Sequence, residues 1–333
     1  MLLSRDTGVL LFMVFSYTLA LSGTPWRSDK APIVLSKFTE PDNTIHCDFI
    51  YGLKEAIADG VCREPNIVLI DNEKISLFND DETKVYSSLS ELLLDSKFSF
   101  QSLITNQQVM HYILKQSVEK LAELRLSNPS AGGLVVASSI KHAKQIYKTL
   151  VMDFHQTASI VTSHLKQPTS IINTFRHNQT EWIVSVGMIS EGTDVPRLQV
   201  CCHLSRIKTE MHYRQVLGRI LRVTSDKAQQ AWLFTLAEAS LTEFAYRIDQ
   251  DLPENSVIFE KTEQQTLDLK ASQYEGKIED NQDLNTDLCL LNLSASEKTS
   301  IAKPPSDIEE ENIYNLALLG GYKEQIVRMF DAN

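Results

Sequence analysis

A chain of 333 residues with 43% hydrophobic content has room for roughly two ordinary domains and can bury a sizeable core, so a soluble globular protein is the starting class. The formal charge of −11 argues against a nucleic-acid binder only until its distribution is seen. Residues 251–333 hold 17 acidic and 7 basic side chains, while residues 130–250 hold 13 Lys or Arg against 9 Asp or Glu, so a mildly basic centre carries an acidic tail and phosphate contacts stay open to it.

The cysteines fall at 47, 62, 201, 202 and 289, with no CxxC pair and no His spacing suited to a tetrahedral site. A reduced, cytoplasmic protein without a metal site is the expectation. Arg5 followed by the apolar run Gly8 to Ala20 resembles a secretory signal, yet the run is short for a transmembrane helix. It also continues into Thr18-Leu19-Ala20-Leu21-Ser22-Gly23-Thr24-Pro25, which has a better reading below, so no membrane partner is expected.

In chain order, Tyr17 to Leu21 reads as a short buried strand closed by a Ser-Gly-Thr-Pro turn. One strand at the start of a chain looks like the tail of another domain, because parallel sheets need strands flanked by helices. Residues 1–45 are therefore assigned to a remnant of a first domain and a linker, and 46–250 to a second domain. Within the latter, Cys47 to Tyr51 is read as a strand, Leu53 to Asp59 as a short helix and Asn66 to Ile70 as a buried strand. Residues 72–87 are polar and read as loop, while Leu89 to Leu94 and Gln107 to Arg125 have helical spacing.

From residue 132 strand and helix alternate. Strands are predicted at Leu134 to Ala137, Ala158 to Thr162, Trp182 to Val186, Val200 to Leu204 and Ala231 to Thr235. Helices are predicted at Lys141 to Val151, Ser170 to Phe175 and Glu210 to Leu221. The pattern gives an α/β fold with a doubly wound parallel sheet, whose functional loops are expected at the carboxyl ends of the strands. Residues 251–310 lose periodicity and read as an acidic, largely disordered linker. Ile313 to Phe330, around Gly320-Gly321, reads as a C-terminal helical segment within 311–333.

Two segments carry the chemistry. Gly187-Met188-Ile189-Ser190-Glu191-Gly192-Thr193-Asp194-Val195-Pro196 follows an apolar strand, and its glycines, carboxylate and proline make a turn with exposed amides suited to the oxygens of a nucleotide or nucleic-acid backbone. An ordinary strand-to-helix turn with Asp194 as helix cap is the alternative. The second segment, Gln215-Val216-Leu217-Gly218-Arg219-Ile220-Leu221-Arg222, places Gln215, Arg219 and Arg222 on one helical stripe, with Gly218 allowing close approach of another backbone. Two guanidiniums beside an amide suit a transferring phosphoryl group; a solvated basic face is the alternative.

In this order and spacing the two segments resemble motifs V and VI of superfamily-2 helicases, the latter being QxxGRxxR. Gly133-Leu134-Val135-Val136-Ala137-Ser138-Ser139 followed by Lys141-His142-Ala143 is similar to motif IV, and Leu19 to Arg27 is similar to motif III, the end of the first RecA-like motor domain. The Ser-Glu-Gly-Thr-Asp-Val-Pro wording is closest to the branch of type III restriction motors and bacterial DNA-repair helicases. The resemblance implies a RecA-like second motor domain of a DNA helicase or translocase that uses ATP and Mg²⁺. It implies that Arg219 and Arg222 face the γ-phosphate with Gln215 beside them, Arg222 being the arginine finger. It places Asp194 near the ribose, with Gly192 keeping the turn open and Glu191 in the same nucleotide-facing segment. Ser22, Gly23 and Thr24 would couple nucleotide state to strand grip, and the turns at Ser138, Ser139, Thr162 and Ser163 would face the phosphates of the tracked strand. Where many members carry a phosphate-contacting threonine, this chain has Val186, which has no hydroxyl to give.

No segment matches GxxxxGK[ST], and Asp81-Glu82-Thr83-Lys84 follows no apolar strand and lies after motif III, so it does not serve as the Mg-binding acidic motif. The expectation is half of a composite ATP site: no tight nucleotide binding by this chain alone, and activity only where a separate chain supplies the first domain. A catalytically silent nucleic-acid-binding or regulatory module, and a non-functional gene fragment, are the alternatives.

Overall fold

A computed structural model of the protein describes residues 37–39, 44–46, 48–78, 83–95, 98–162, 164–187, 194–223, 229–249, 257–258 and 315–328. The expected strand at Tyr17 to Leu21, the coupling residues Ser22, Gly23 and Thr24, and nearly all of the 251–310 linker lie outside them.

Three strands form a small sheet: β1 (Lys37–Thr39) pairs antiparallel with β2 (Thr44–His46), and β2 pairs parallel with Val257–Ile258. Then come α1 (Leu53–Ala58), β3 (Glu64–Asn72), β4 (Ile75–Phe78), β5 (Thr83–Tyr86), α2 (Leu89–Asp95), α3 (Phe100–Thr105) and α4 (Gln107–Ser127). The regular alternation follows as β6 (Gly132–Ala137), α5 (Ile140–Lys148), β7 (Ala158–Thr162), α6 (Pro168–His177), β8 (Trp182–Val186), β9 (Leu198–Leu204), α7 (Glu210–Ile220), β10 (Gln230–Leu236) and α8 (Ala239–Asp249). With Val257–Ile258 counted as β11, the last strands are β12 (Asn315–Leu318) and β13 (Tyr322–Arg328).

The central sheet runs β13-β3-β10-β9-β6-β8-β7, and every pair except β13 with β3 is parallel. Its strands are apolar on both faces because helices cover both. On β6, Val135 and Ala137 join the core under α4 and α5, while Leu134 and Val136 join the core under α6, α7 and α8. Burial of such side chains at roughly 1.5–3 kcal/mol each is what holds the layers together. Side-chain caps fix where the helices begin: Asn106 Oδ1 accepts from the backbone N–H groups of Gln108 and Val109 at 3.0 and 3.2 Å, and Pro168 opens α6.

Two expectations are corrected here. Residues 72–87 are not all loop: β4 and β5 form an antiparallel pair extended by β12. The C-terminal segment is not helical, because Asn315–Leu318 and Tyr322–Arg328 are strands on either side of a tight Gly320-Gly321 turn. Packing overrides helical spacing there. A Cβ on Gly320 would lie 2.5 Å from the Lys74 nitrogen, so only glycine lets the turn sit on the β3–β4 connection. The edge of β3 supplies β13 with a full ladder, while Tyr112 of α4 stacks on Tyr322 at 3.7 Å and Tyr246 of α8 accepts from Gln325 at 2.6 Å. The second domain therefore extends beyond residue 250 to take in a strand from near the chain end. Elsewhere the α-helix predicted to reach Val151 stops at Lys148 and continues as a π-helical turn, Thr149–Asp153.

Candidate nucleotide and nucleic-acid interface

Because the strands are parallel, the sheet has an amino edge and a carboxyl edge, and the expected site residues divide between them. At the carboxyl edge, β6 ends in Ser138 and Ser139. Ser139 caps α5 by accepting from the His142 N–H at 3.1 Å, and Ser138 Oγ accepts from Gln101 Nε2 at 2.9 Å and lies 2.9 Å from His142 Nδ1. Both hydroxyls are thus half-exposed and already engaged within the fold. Burial pulls the His142 pKa down to about 4, against a smaller upward effect of the Ile104 backbone, so at neutral pH the ring beside Ser138 is uncharged. Thr162 at the end of β7 is only 4% exposed, which corrects the expectation that its side chain faces a phosphate backbone. Ser163 lies outside the described residues. Gly187 ends β8 with φ +69°, a left-handed conformation that supports the reading of a glycine-dependent turn.

Asp194, the next described residue after Gly187, lies at the opposite edge. Glu191 and Gly192 lie outside the described residues, but Asp194 is placed, and it is followed by β9 rather than by a helix, so it is no helix cap. Its carboxylate pairs with the Arg222 guanidinium, which brings the two sequence segments together. The contact lies at the amino edge, beside the starts of β3, β9 and β10, whereas the sequence pattern put the functional loops at the carboxyl ends of the strands. With Asp194 64% and Arg222 37% exposed, the pair is of the solvated kind worth about 0–1 kcal/mol.

Gln215 and Arg219 stand half-exposed one turn apart on α7, as the spacing predicts. Arg222 departs from that stripe: α7 ends at Ile220, and Arg222 instead forms an antiparallel bridge with Cys62. Nothing among the described residues lies within 4 Å of where a Gly218 Cβ would be, so none of them makes the close approach that the glycine permits.

Two residues of this edge carry no sequence signature. Arg63, fully buried, donates from Nε to Gln229 Oε1 at 2.7 Å, from Nη1 to the carbonyls of Leu198 and Ile220 at 2.6 and 3.0 Å, and from Nη2 to the Pro196 carbonyl at 3.0 Å. Arg197 donates to the carbonyls of Ser130, Phe175 and Thr180 at 2.9, 3.2 and 2.7 Å, with its guanidinium 4.3 Å above the Phe175 ring. Burial lowers both pKa values to about 10, which leaves both charged at neutral pH. Gly132 makes room for Arg197, since a Cβ there would lie 2.9 Å from Nη1, and a Cβ on Gly133 would lie 2.4 Å from the Trp182 ring.

Residues 116–224 match the helicase conserved C-terminal domain, a stretch that contains β6 through α7 and every described motif IV, V and VI residue. The matched stretch is similar to that domain, and here it folds as α/β around a mostly parallel sheet. An uncharacterized protein of Mycobacterium leprae is 28% identical over 237 residues, which are 69% of this chain and 39% of that relative. The Saccharomyces cerevisiae protein named "Putative ATP-dependent helicase IRC3" is 29% identical over 128 residues, 38% of this chain and 18% of that protein. Domain 2 of the DEAD-box helicase Mss116p, solved bound to an RNA duplex, aligns over 45% of this chain and 56% of its own at 15% identity and a TM-score of 0.34. The chain thus spans well under half of the length of the curated relatives it matches. No helix among the described residues is long and apolar enough to cross a membrane, and no cluster of three or more potential metal ligands occurs among them.

Proposed function

We propose that the chain is the second motor domain of an ATP-dependent superfamily-2 helicase or translocase acting on DNA, contributing the arginine side of a composite ATP site. The observation that carries this reading is the pairing of Arg222 with Asp194, which joins the motif V loop to the end of the motif VI helix at one exposed place. The donor set fits one side of a nucleotide: Arg222, with Arg219 and Gln215 along α7, supplies cations and an amide for phosphate oxygens, and Asp194 is an acceptor suited to a ribose hydroxyl. ATP bound there supplies the phosphoryl group whose transfer to water powers movement. In the resting arrangement Asp194 holds Arg222, and release of Arg222 from that carboxylate is the step that arms it toward a phosphate.

The sequence has no GxxxxGK[ST] to cradle the β- and γ-phosphates, so the 333 residues do not turn over ATP on their own and depend on a first motor domain for the cradle and the Mg²⁺ ligands. Nucleic acid is assigned to the carboxyl edge around Ser138 and Ser139, and DNA rests on the wording of the motif V loop. The test is nucleic-acid-stimulated ATP hydrolysis by the chain alone and with a first RecA-like domain supplied in fusion. The expected result is no turnover alone, and turnover in the fusion that falls by about 10³-fold or more in Arg222→Ala. Turnover by the chain alone, lost in Arg222→Ala, would overturn the half-site reading. Salt-sensitive strand binding without turnover in either form would favour a catalytically silent binding module.

A further inference from the structure

Arg222 lies two residues past the end of α7 and Asp194 lies in a connection between strands, so neither is held by a helix of its own. Yet the two meet, and what sits behind both is one buried side chain. The carbonyls that Arg63 binds belong to the two segments in question: Ile220 closes α7 two residues before Arg222, while Pro196 and Leu198 close the loop two and four residues after Asp194. The Arg63 backbone N–H adds a bond to the Leu221 carbonyl at 2.7 Å, next to the Cys62–Arg222 bridge. Only a guanidinium, with five donors in a planar fork, reaches acceptors on three segments at once; a lysine offers a single point of attachment.

We propose that Arg63 is a positioning residue that sets Arg222 against Asp194 by tying the end of the motif VI helix to the end of the motif V loop. It rests on the reading of Arg222 as the phosphate-directed arginine only for its functional meaning; the geometry is testable without nucleotide. Arg197 is the natural control, being a second buried arginine that binds three carbonyls at the same edge but none next to Arg222.

The experiment uses the full chain carrying Cys47→Ser and Cys289→Ser, with Arg222→Cys placed opposite Cys62, where bridge partners lie within the span of a disulfide. Cys201 and Cys202 are fully buried and do not compete. The rate of disulfide formation under a mild oxidant reads how firmly the two positions are held together. Arg63→Met is expected to slow it at least tenfold and Arg63→Lys to an intermediate degree, while Arg197→Met and Arg197→Lys, matched for loss of thermal stability, leave it within about twofold. If Arg63→Met does not fold, the Arg63→Lys and Arg197→Lys pair carries the same comparison. Equal slowing by the Arg63 and Arg197 variants, or no slowing by Arg63→Lys and Arg63→Met, would overturn the proposal and leave Arg63 as an ordinary core residue. A selective Arg63 effect alongside an ATP turnover that ignores Arg222→Ala in the fused motor would sink the assignment of Arg222 and leave the positioning intact.

Discussion

At the amino edge of the sheet Arg63 and Arg197 are buried and bonded to carbonyls of several segments; near the carboxyl edge buried hydroxyls and an imidazole lack a hydrogen-bond partner. At the amino edge, Arg63 and Arg197 donate to six backbone carbonyls and one side-chain oxygen, that of Gln229. Near the carboxyl edge, Ser185 Oγ, Thr235 Oγ1 and both ring nitrogens of His203 are buried with no hydrogen-bond partner in the described structure. Buried charge is costly unless fully bonded, and once fully bonded it is rigid. The contrast teaches which edge is fixed and which has room to rearrange: the arginine-lined edge holds the Arg222–Asp194 contact, and the hydroxyl-lined edge is where a nucleic-acid strand is proposed to press.

The comparison can be broken first at Arg197. Arg197→Met strips three carbonyls of their donor, and at about 1–3 kcal/mol for each group left unsatisfied the loss is expected to reach 3 kcal/mol or more, measured by urea denaturation. A loss below about 1 kcal/mol would mean that water replaces the guanidinium and that the edge is not fixed by it. Next is Gly133→Ala, which drives a methyl into the buried Trp182 ring and is expected to cost toward the upper end of about 1–3 kcal/mol in the same assay.

The carboxyl edge predicts a pH dependence that the arginine edge lacks. Burial, and secondarily the neighbouring His212, pulls the His203 pKa down to about 3, and burial pulls His142 to about 4. Both folded values lie below the ordinary histidine value of about 6.5, so the unfolded chain binds protons first as pH falls. The stability is fully present above about 6.5 and is lost progressively below it, by about 1 kcal/mol per histidine between pH 7 and 5.5. Denaturation at the two pH values should show roughly 2 kcal/mol of loss, and about half of it should vanish in His203→Leu. The smallest effect sharpens the view of α7. Gly218→Ala meets open space in a helix and should raise stability by about 0.5–1 kcal/mol, while lowering turnover in the fused motor if a second backbone needs that face.

Much of this was legible in the residues themselves. The strands Ala158–Thr162 and Trp182–Val186 fall where their apolar runs put them, and the half-exposed stripe of Gln215 and Arg219 follows from helical spacing. What escaped had physical reasons. Helix periodicity says nothing about where a helix ends, so the spacing puts Arg222 on α7, although the strand-like bridge to Cys62 takes it off. Thr83–Tyr86 and Tyr322–Arg328 are largely polar, and they are strands only because a neighbouring edge offers them a ladder. Arg63, between a cysteine and a glutamate, has no pattern at all; its role exists only where carbonyls more than 130 residues away converge on it. Gly218 was legible as a glycine that needs a neighbour, but not that the neighbour is absent from the described part of this chain.

The strand Tyr322–Arg328 closes the open side of β3 across a separation of 248 residues, measured at the Asn72–Gly320 bond. During synthesis, therefore, the rest of the sheet emerges from the ribosome long before its last strand does. For that interval β3 presents a bare ladder of amides and carbonyls, an invitation to pair with another nascent chain. Contacts of such long range are also slow to form. Until residues 322–328 have been made, the order of synthesis as well as the sequence decides what that edge meets.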